Sequence, residues 1–258
     1  MTRYSEWCEE EEKEVNGHNL TLLTADDKGV SEGVEVLRDA LPEHYAAMPR
    51  LSRMFARLGK TKTAAYVEDK LPTKQKGRSG DLCEVLAVAF IEEETIFSET
   101  LRKLRWSDHR EQAMRGDDMI AVTADPDNPD RLLFLKGEAK SRANLTKTPV
   151  QDARKALKAT NGRPSPHALA FFADRLAEEG RIEISDRIDD AQRETGIAVD
   201  QLTHMIFAFS GNDPAKHLEN DLNAYKGKIE QWSVGLRVAS HQDFIRAVYQ
   251  EVSLNGVG

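Results

Sequence analysis

Two carboxylate residues and a lysine stand at the ends of two short apolar runs, in an order that suits metal-assisted chemistry. Asp118 directly precedes the apolar run at residues 119–122. A second run, at residues 132–135, leads into Glu138 and Lys140. Carboxylate oxygens are preferred ligands of Mg²⁺ and Mn²⁺, and a lysine beside such an ion can orient a water molecule and offset charge on a phosphate. The stretch therefore predicts a metal site that acts on a phosphate group.

The two apolar runs predict a β-hairpin that would bring these side chains together. Both runs are short and are bounded by turn residues, as buried strands are. The segment between them, at residues 125–129, contains Pro, Asp and Asn, which fix φ or bond their own backbone and so favour a turn. Side chains two residues apart on a strand share a face, so Glu138 and Lys140 point the same way and Asp118 can lie opposite them.

The aspartate of this site can be either member of the pair Asp117 and Asp118, which follow Gly116. Asp118 is the preferred ligand because it directly abuts the apolar run. Two carboxylates that lie close together repel each other unless a cation lies between them. A site built from Asp118 and Glu138 therefore predicts a bound cation.

A further acidic residue, Glu84, interrupts the apolar segment at residues 80–90, which predicts a buried helix with Asp81 near its N-terminus. A buried carboxylate requires a partner or a metal ion, so Glu84 is a candidate third acid of the site. The alternative is an exposed helical glutamate, or one in a salt bridge with Arg78. Gln151, in the first turn of a predicted basic helix, could reach the site from the side, but a plain surface amide is the favoured interpretation.

The composition restricts the class of protein. With 258 residues, 40% of them hydrophobic, the chain suits one large domain or two modest ones. The net charge of −8 argues against a protein that coats nucleic acid. The apolar runs are too short to span a bilayer, and the N-terminus lacks the basic and apolar regions of a signal peptide. Two cysteines offer neither a disulfide framework nor zinc spacing, so the expected location is cytoplasmic.

The charges are distributed unevenly around the motif. Residues 60–78 hold six basic residues against two acidic ones, and residues 136–163 hold eight against two. Residues 174–194 show the opposite balance, with eight acidic residues against four basic ones. Basic segments on both sides of an acidic metal motif favour a polyanionic substrate, although a solvated surface is the usual interpretation of any single charge run.

The remaining segments predict helices and strands that would surround the hairpin. Residues 1–30 contain one apolar patch that suits an edge strand or a partner-binding arm, and residues 9–14 suit a solvated, poorly ordered face. Helices are expected from residue 31 and over 45–58, whose apolar stripe is expected in the core, whereas 60–80 is expected to be an exposed loop. Residues 95–106 fit either a helix or a first strand.

After the hairpin, the pattern predicts a regular alternation of elements. Expected are a helix capped at Thr148, helices over 165–179 and 184–195, a strand over 203–209 with His204 as a core residue, a helix over 213–225, a strand over 232–238 and a helix over 242–252. The expected fold class is α/β, with a mixed sheet covered on both faces by helices.

An acid, a hairpin and then Glu-x-Lys resembles the PD-(D/E)XK nuclease superfamily. The ordered blocks GDLCE at 80–84, RGDD at 115–118 and KGEAKSR at 136–142 further resemble the HamA family, the nuclease subunits of bacterial Hachiman anti-phage systems. The resemblance implies a restriction-endonuclease-like mixed sheet with helical additions at the N-terminus and in mid-chain. One departure is that Gly116, not proline, precedes the aspartate pair.

The resemblance also implies a function and roles for residues. It implies a metal-dependent DNase that uses Mg²⁺ or Mn²⁺ and is restrained by a superfamily 2 helicase partner, HamB. Asp118 and Glu138 would hold the metal together with the Ala139 carbonyl and Glu84, and Lys140 would orient the water. The expected organisation is a helical, partner-binding region at 1–79 and a nuclease core at 80–258 with a helical insertion at 165–196. The alternative function is a non-catalytic adaptor with a nuclease-like fold.

Overall fold

A mixed β-sheet forms the centre of the fold. The computed structural model describes residues 3–111 and 116–255. Within these residues the sheet has seven strands: β1 (Glu9–Val15), β2 (His18–Ala25), β3 (Glu99–Thr100), β4 (Met119–Asp125), β5 (Asn128–Arg142), β6 (Leu202–Ser210) and β7 (Glu230–Val238). Their spatial order is β1-β2-β7-β6-β5-β4-β3. The strands β2, β7, β6 and β5 are parallel, and the pairs at both edges are antiparallel.

Helices cover both faces of this sheet, as predicted for an α/β fold. They are α1 (Tyr4–Trp7), α2 (Asp27–Tyr45), α3 (Met48–Leu58), α4 (Lys60–Lys70), α5 (Gln75–Glu94), α6 (Lys147–Leu157), α7 (Pro166–Glu178), α8 (Ile182–Asp190), α9 (Ala215–Ala224) and α10 (His241–Asn255). Short 3-10 turns occupy Lys103–Trp106, Ala159–Gly162 and Val199–Gln201, and a π-helical turn, Ala191–Thr195, follows α8. No helix of the described residues has the length and apolar character to cross a bilayer.

The helix α5 is the buried centre of one face. Its residues 82, 83 and 85–91 are all buried, which is the pattern of a helix surrounded by protein on every side. It packs between the sheet and the helices α2 and α10. On the opposite face, α7 and α8 cover the hairpin of β4 and β5, and α6 and α9 cover the middle of the sheet.

Several local predictions were wrong. Residues 60–70 form the helix α4 and not a loop, because Thr63 and Val67, one helical turn apart, are buried and give this polar segment an inner side. The acidic segment near the N-terminus is the ordered edge strand β1. Residues 95–106, for which a helix and a first strand were both open, form the two-residue strand β3 and a 3-10 turn. The helix α6 begins at Lys147, with Thr146 and not Thr148 at the cap.

The apolar stripe of α3 was expected in the core but is largely exposed. Leu51 is the residue of this helix that is buried. Met48, Phe55 and Leu58 are 50%, 44% and 40% exposed. The boundary predicted at residues 79 and 80 falls inside α5, and β1 and β2 from the N-terminal region belong to the same sheet as the later strands. The functional division at that point stays a prediction.

Candidate active site

The residues predicted to form the site meet where β4 begins beside β5. The two strands are antiparallel neighbours, which brings Asp118, just before β4, against the later part of β5. Asp118 Oδ2 accepts a hydrogen bond from the backbone N–H of Ala139 at 3.2 Å. Glu138 and Lys140 share one face of β5 because side chains alternate along a strand. The hairpin therefore brings these four residues together.

The ammonium of Lys140 lies where three oxygen atoms converge. Its Nζ is 2.7 Å from Glu138 Oε2, 3.2 Å from the Ala139 carbonyl oxygen and 3.4 Å from Asp118 Oδ2. These are oxygens of three of the four residues to which the family resemblance assigns a metal. One positive charge is thus already surrounded by that donor set, and the ammonium stands in for a bound cation.

A second lysine, Lys103, reaches the site from the 3-10 turn after β3. Its Nζ lies 3.2 Å from Glu84 Oε2 and 3.6 Å from Asp118 Oδ1. It also donates to the backbone carbonyl of Asp117 at 3.5 Å. Lys103 is only 6% exposed. Lys103 could not be identified from the sequence, because residues 95–106 show no periodicity that separates a buried lysine from the solvated basic residues beside it.

Asp117 and Asp118 are neighbours in the chain, but their carboxylates contact different groups. Asp117 Oδ1 lies 3.3 Å from Nζ of Lys136, and its Oδ2 accepts a hydrogen bond from the backbone N–H of Ser165 at 2.8 Å. Asp118 contacts both Lys103 and Lys140. The carboxylate of Asp117 is therefore occupied in fixing the start of α7, and Asp118 is the aspartate that faces Glu138.

Lys136 is the buried anchor on the same strand. It is 1% exposed, and its Nζ donates to the carbonyl oxygens of Ala159 and Arg163 at 3.1 Å each. The turn that offers these carbonyls is left-handed at residues 160–162, with φ of 53°, 56° and 80°. Non-glycine residues rarely adopt this conformation. Two carbonyls and Asp117 thereby satisfy a lysine ammonium that water does not reach.

Glu84 projects from α5 toward Asp118, with Lys103 between them. Its Oε2 is buried, and the approach of Lys103 is an ion pair that is not aligned for a hydrogen bond. Burial raises the pKa of Glu84 to about 8; Lys103 opposes this rise, and the charges of Asp118 and Asp81 add to it. Arg78, considered as its partner, instead donates to the Pro72 carbonyl. The Glu84 oxygen therefore has lone pairs available to a further donor or cation.

The pKa values of the two central carboxylates move apart. Burial raises the pKa of Glu138 to about 7, and the charge of Asp118 adds to the rise while Lys140 opposes it. Burial also acts to raise the pKa of Asp118, but Lys103 and Lys140 outweigh it and hold that pKa below its ordinary value. Asp118 is therefore ionised at neutral pH, whereas the raised pKa of Glu138 lies close to neutral pH.

The donor set fits a small hard cation. No group of three or more His, Cys, Asp or Glu side chains within the described residues is arranged to hold a metal ion. The converging set contains two carboxylates, Asp118 and Glu138, and one backbone carbonyl, and Mg²⁺ is commonly held by one or two carboxylates with water and phosphate completing its shell. Glu84 reaches this cluster through Lys103, whose Nζ lies 3.2 Å from Glu84 Oε2 and 3.6 Å from Asp118 Oδ1.

Other predicted residues lie away from this cluster. Gln151 is exposed on α6 and lines a surface cavity with Lys155 and Asp221. His204 is buried, as predicted, and its Nε2 donates to the Gly162 carbonyl at 2.7 Å. Arg115, part of the RGDD block, lies outside the described residues.

Comparisons with known proteins agree with the resemblance. A family model described as HamA matches residues 2–252 of the chain. A relative from Bacillus cereus, the Hachiman protein HamA, is 29% identical over 166 residues, which cover 64% of this chain and 58% of that protein. The matched part of the chain thus spans less than two thirds of that relative's length.

Proposed function

The chain belongs to the HamA family, and from this premise we propose that it is the metal-dependent DNA nuclease of a Hachiman anti-phage defence system. The reaction would be hydrolysis of DNA phosphodiester bonds with Mg²⁺ or Mn²⁺. The observation that carries the proposal is the convergence of Asp118, Glu138 and the Ala139 carbonyl on one cationic atom, Lys140 Nζ. Such a donor set beside a lysine suits phosphate hydrolysis, because a bound metal ion can activate water and an ammonium can offset charge on the phosphate.

In this proposal the residues of the hairpin have separate roles. Asp118, Glu138 and the Ala139 carbonyl would hold the ion, and the ion would supply a bound water of lowered pKa. Glu84, proposed from the family resemblance as a further ligand, would act from beside the ion, where it pairs with Lys103. Lys140 would then be displaced from the three oxygens and would face the substrate. There its ammonium would orient the attacking water and offset the negative charge that builds on the phosphate. Lys140 has the freedom for this movement because its side chain is 19% exposed.

The test is metal-dependent nicking of supercoiled DNA by the purified chain, alone and together with a helicase partner. Cleavage that requires Mg²⁺ or Mn²⁺ and stops with a chelator is the expected result. Absence of cleavage in both states, with metal present, would favour the non-catalytic adaptor with a nuclease-like fold.

The proposed surface for DNA is a lysine-lined cavity beside the turn that holds Lys136. A cavity of about 560 Å³ is lined there by Lys158, Lys226 and Lys228. All three lysines are exposed, and among the described residues none of them forms a salt bridge. By contrast, Lys136 and Arg154 of the predicted basic segment are buried and paired with Asp117 and Asp221. The exposed lysines without a salt bridge, not the buried and paired residues, are therefore the groups that we propose for contact with DNA phosphates.

Replacing Lys158, Lys226 and Lys228 by alanine is expected to weaken DNA binding and to make it less sensitive to salt. Each phosphate contact contributes about 0.9 to the slope of log K against log salt, so the slope should fall by up to about 2.7. The measurement is fluorescence anisotropy with labelled duplex DNA, in a background that cannot cleave. The matched control replaces Lys28, Arg193 and Arg246, which are 82%, 73% and 63% exposed. An equal loss in the control would show that only net charge matters.

The raised pKa of Glu138 predicts that metal binding depends on pH. Its pKa in the folded chain, about 7, lies above its ordinary value of 4.5. Protonation of Glu138 therefore stabilises the metal-free fold at low pH, and this contribution is lost as pH rises from about 4.5 through about 7. A metal ion must displace that proton at pH 6 but not at pH 8, so its affinity should be about tenfold weaker at pH 6.

The measurement is the shift in melting temperature caused by Mn²⁺ at the two pH values. The shift should be larger at pH 8, and Glu138→Gln should remove most of the difference because the amide does not titrate. Equal shifts of the unmodified chain at both pH values would contradict the prediction.

A helicase partner that restrains the nuclease is part of the same proposal, and α3 supports a protein partner. Its apolar residues Met48, Phe55 and Leu58 face solvent. Residues 46–67 contain five basic residues and no acidic one, in a chain with net charge −8. An exposed apolar stripe with a basic rim suits contact with an acidic protein surface that has an apolar centre. The acidic α7–α8 insertion is a second candidate surface for the partner.

A further inference from the structure

Asp118 contacts two ammonium groups, one at each of its carboxylate oxygens. Its Oδ2 lies 3.4 Å from Nζ of Lys140, and its Oδ1 lies 3.6 Å from Nζ of Lys103. Each ammonium also contacts one further glutamate, which is Glu138 for Lys140 and Glu84 for Lys103. Asp118 is thus a carboxylate that bridges two cation positions.

The two positions have the same composition. Lys140 Nζ is surrounded by Asp118, a glutamate and the Ala139 carbonyl at 3.2 Å. Lys103 Nζ is surrounded by Asp118, a glutamate and the Asp117 carbonyl at 3.5 Å. This arrangement, in which one carboxylate lies between two cation positions, resembles a site that holds two metal ions. Here both positions hold lysine ammonium groups.

Lys140 and Lys103 differ in how freely their side chains can move away from these cation positions. The side chain of Lys140 is 19% exposed and lies on a strand that opens toward the surface. The side chain of Lys103 is 6% exposed, and it begins a 3-10 turn fixed behind β3. Removal of Lys103 from its position would leave Glu84 and Asp118 as adjacent buried carboxylates, which repel each other. Lys140 can therefore yield its position to a metal ion, whereas Lys103 stays.

We propose that Lys103 is a built-in cation that takes the place of a second metal ion, so that the site binds one divalent ion. This inference rests on the proposed metal-dependent function. When all three carboxylates are ionised, they and the two ammonium groups carry one net negative charge, which a single divalent ion turns to one positive charge before the DNA phosphate binds. A second divalent ion between Glu84 and Asp118 would lie against the ammonium of Lys103 and be repelled.

The test counts Mn²⁺ ions bound per chain, by equilibrium dialysis and by the spin coupling of paired Mn²⁺ in electron paramagnetic resonance. The unmodified chain should bind one ion. Lys103→Ala should bind two, with a coupled signal, because Glu84, Asp118 Oδ1 and the Asp117 carbonyl are then free to hold the second ion. Lys103→Arg, which keeps the charge, should bind one.

Lys140→Ala is the matched control, because it also removes one ammonium that contacts Asp118. It should still bind one ion, since Lys140 leaves its position when metal binds. A second ion in both alanine variants would mean that the number of ions follows net charge alone, and would overturn the inference. Circular dichroism checks folding, and Lys103→Gln, with nearly the same side-chain length, replaces Lys103→Ala if the latter does not fold.

The remaining outcomes separate this inference from the proposed function. Two ions bound by the unmodified chain would overturn the role of Lys103 and leave a metal-dependent nuclease standing. One ion in Lys103→Ala, folded and at saturating Mn²⁺, would likewise overturn it. No ion bound by the unmodified chain would overturn both.

Discussion

Replacing Glu138 and Lys140 together by alanine is expected to abolish metal-dependent DNA cleavage while the chain remains folded. The change removes one carboxylate ligand and the ammonium that faces the substrate, so the rate should fall by at least about 10³-fold. Both members of a buried ion pair leave together, which avoids an unpaired buried charge. Asp118 keeps its contact with Lys103. The measurements are plasmid cleavage with Mg²⁺ and thermal unfolding followed by circular dichroism.

The control removes a lysine and a glutamate that also contact each other, but at the surface. Lys28 and Glu32 lie 3.3 Å apart on α2 with side chains 82% and 40% exposed. Their replacement by alanine should leave cleavage unchanged. Full cleavage by the Glu138 and Lys140 variant would show that the site has been assigned wrongly.

Lys136→Met is expected to cause a large loss of stability, although Lys136 does not contact the converging donor set. The ammonium is buried and is the partner of Asp117 and of two backbone carbonyls. Removing one partner of a buried ion pair leaves the other charge uncompensated, which typically lowers the free energy of unfolding by about 3–5 kcal/mol. Urea unfolding at neutral pH measures this change. Cleavage should fall as well, because Asp117 and Asp118 share a peptide bond.

A double-mutant cycle with Asp117→Asn identifies the cause of that loss. Removing the charge of Asp117 relieves the unpaired anion, so the double variant should lose less than the sum of the single variants, by about 0.5–3 kcal/mol. Strictly additive losses would mean that Lys136 acts by packing and by its carbonyl contacts alone. Lys28→Met, on the exposed surface of α2, should change stability little.

Part of this site could be predicted from sequence because local rules control it. The period of two along a strand places Glu138 and Lys140 on one face whatever the rest of the fold does. The turn residues between β4 and β5 set the hairpin that carries Asp118 to Ala139. The strand β5 extends further than its apolar run, to Arg142, because polar residues such as Lys136 continue it and are paired inside the protein.

Other features could not be predicted because they depend on contacts between distant segments. Nothing near Lys103 in the sequence indicates that it lies between Glu84, on α5, and Asp118, just before β4. The stripe on α3 shows amphipathic periodicity, but periodicity does not tell whether the apolar side meets the same chain or another protein. The composition of residues 60–80 indicated a loop, but residues 60–70 form a helix in which Thr63 and Val67 are buried.

The strand β1 has a consequence for how copies of this protein behave at high concentration. It is the outermost strand of the sheet on its side, and four successive glutamates, 9–12, are exposed along it. An open strand edge is a template on which a second molecule can add its own strand and begin a fibre. Two such edges would bring rows of carboxylates to a spacing of about 4.8 Å, where their repulsion opposes pairing. The glutamates thus protect the sheet from polymerisation, and neutral side chains in their place should make concentrated solutions aggregate.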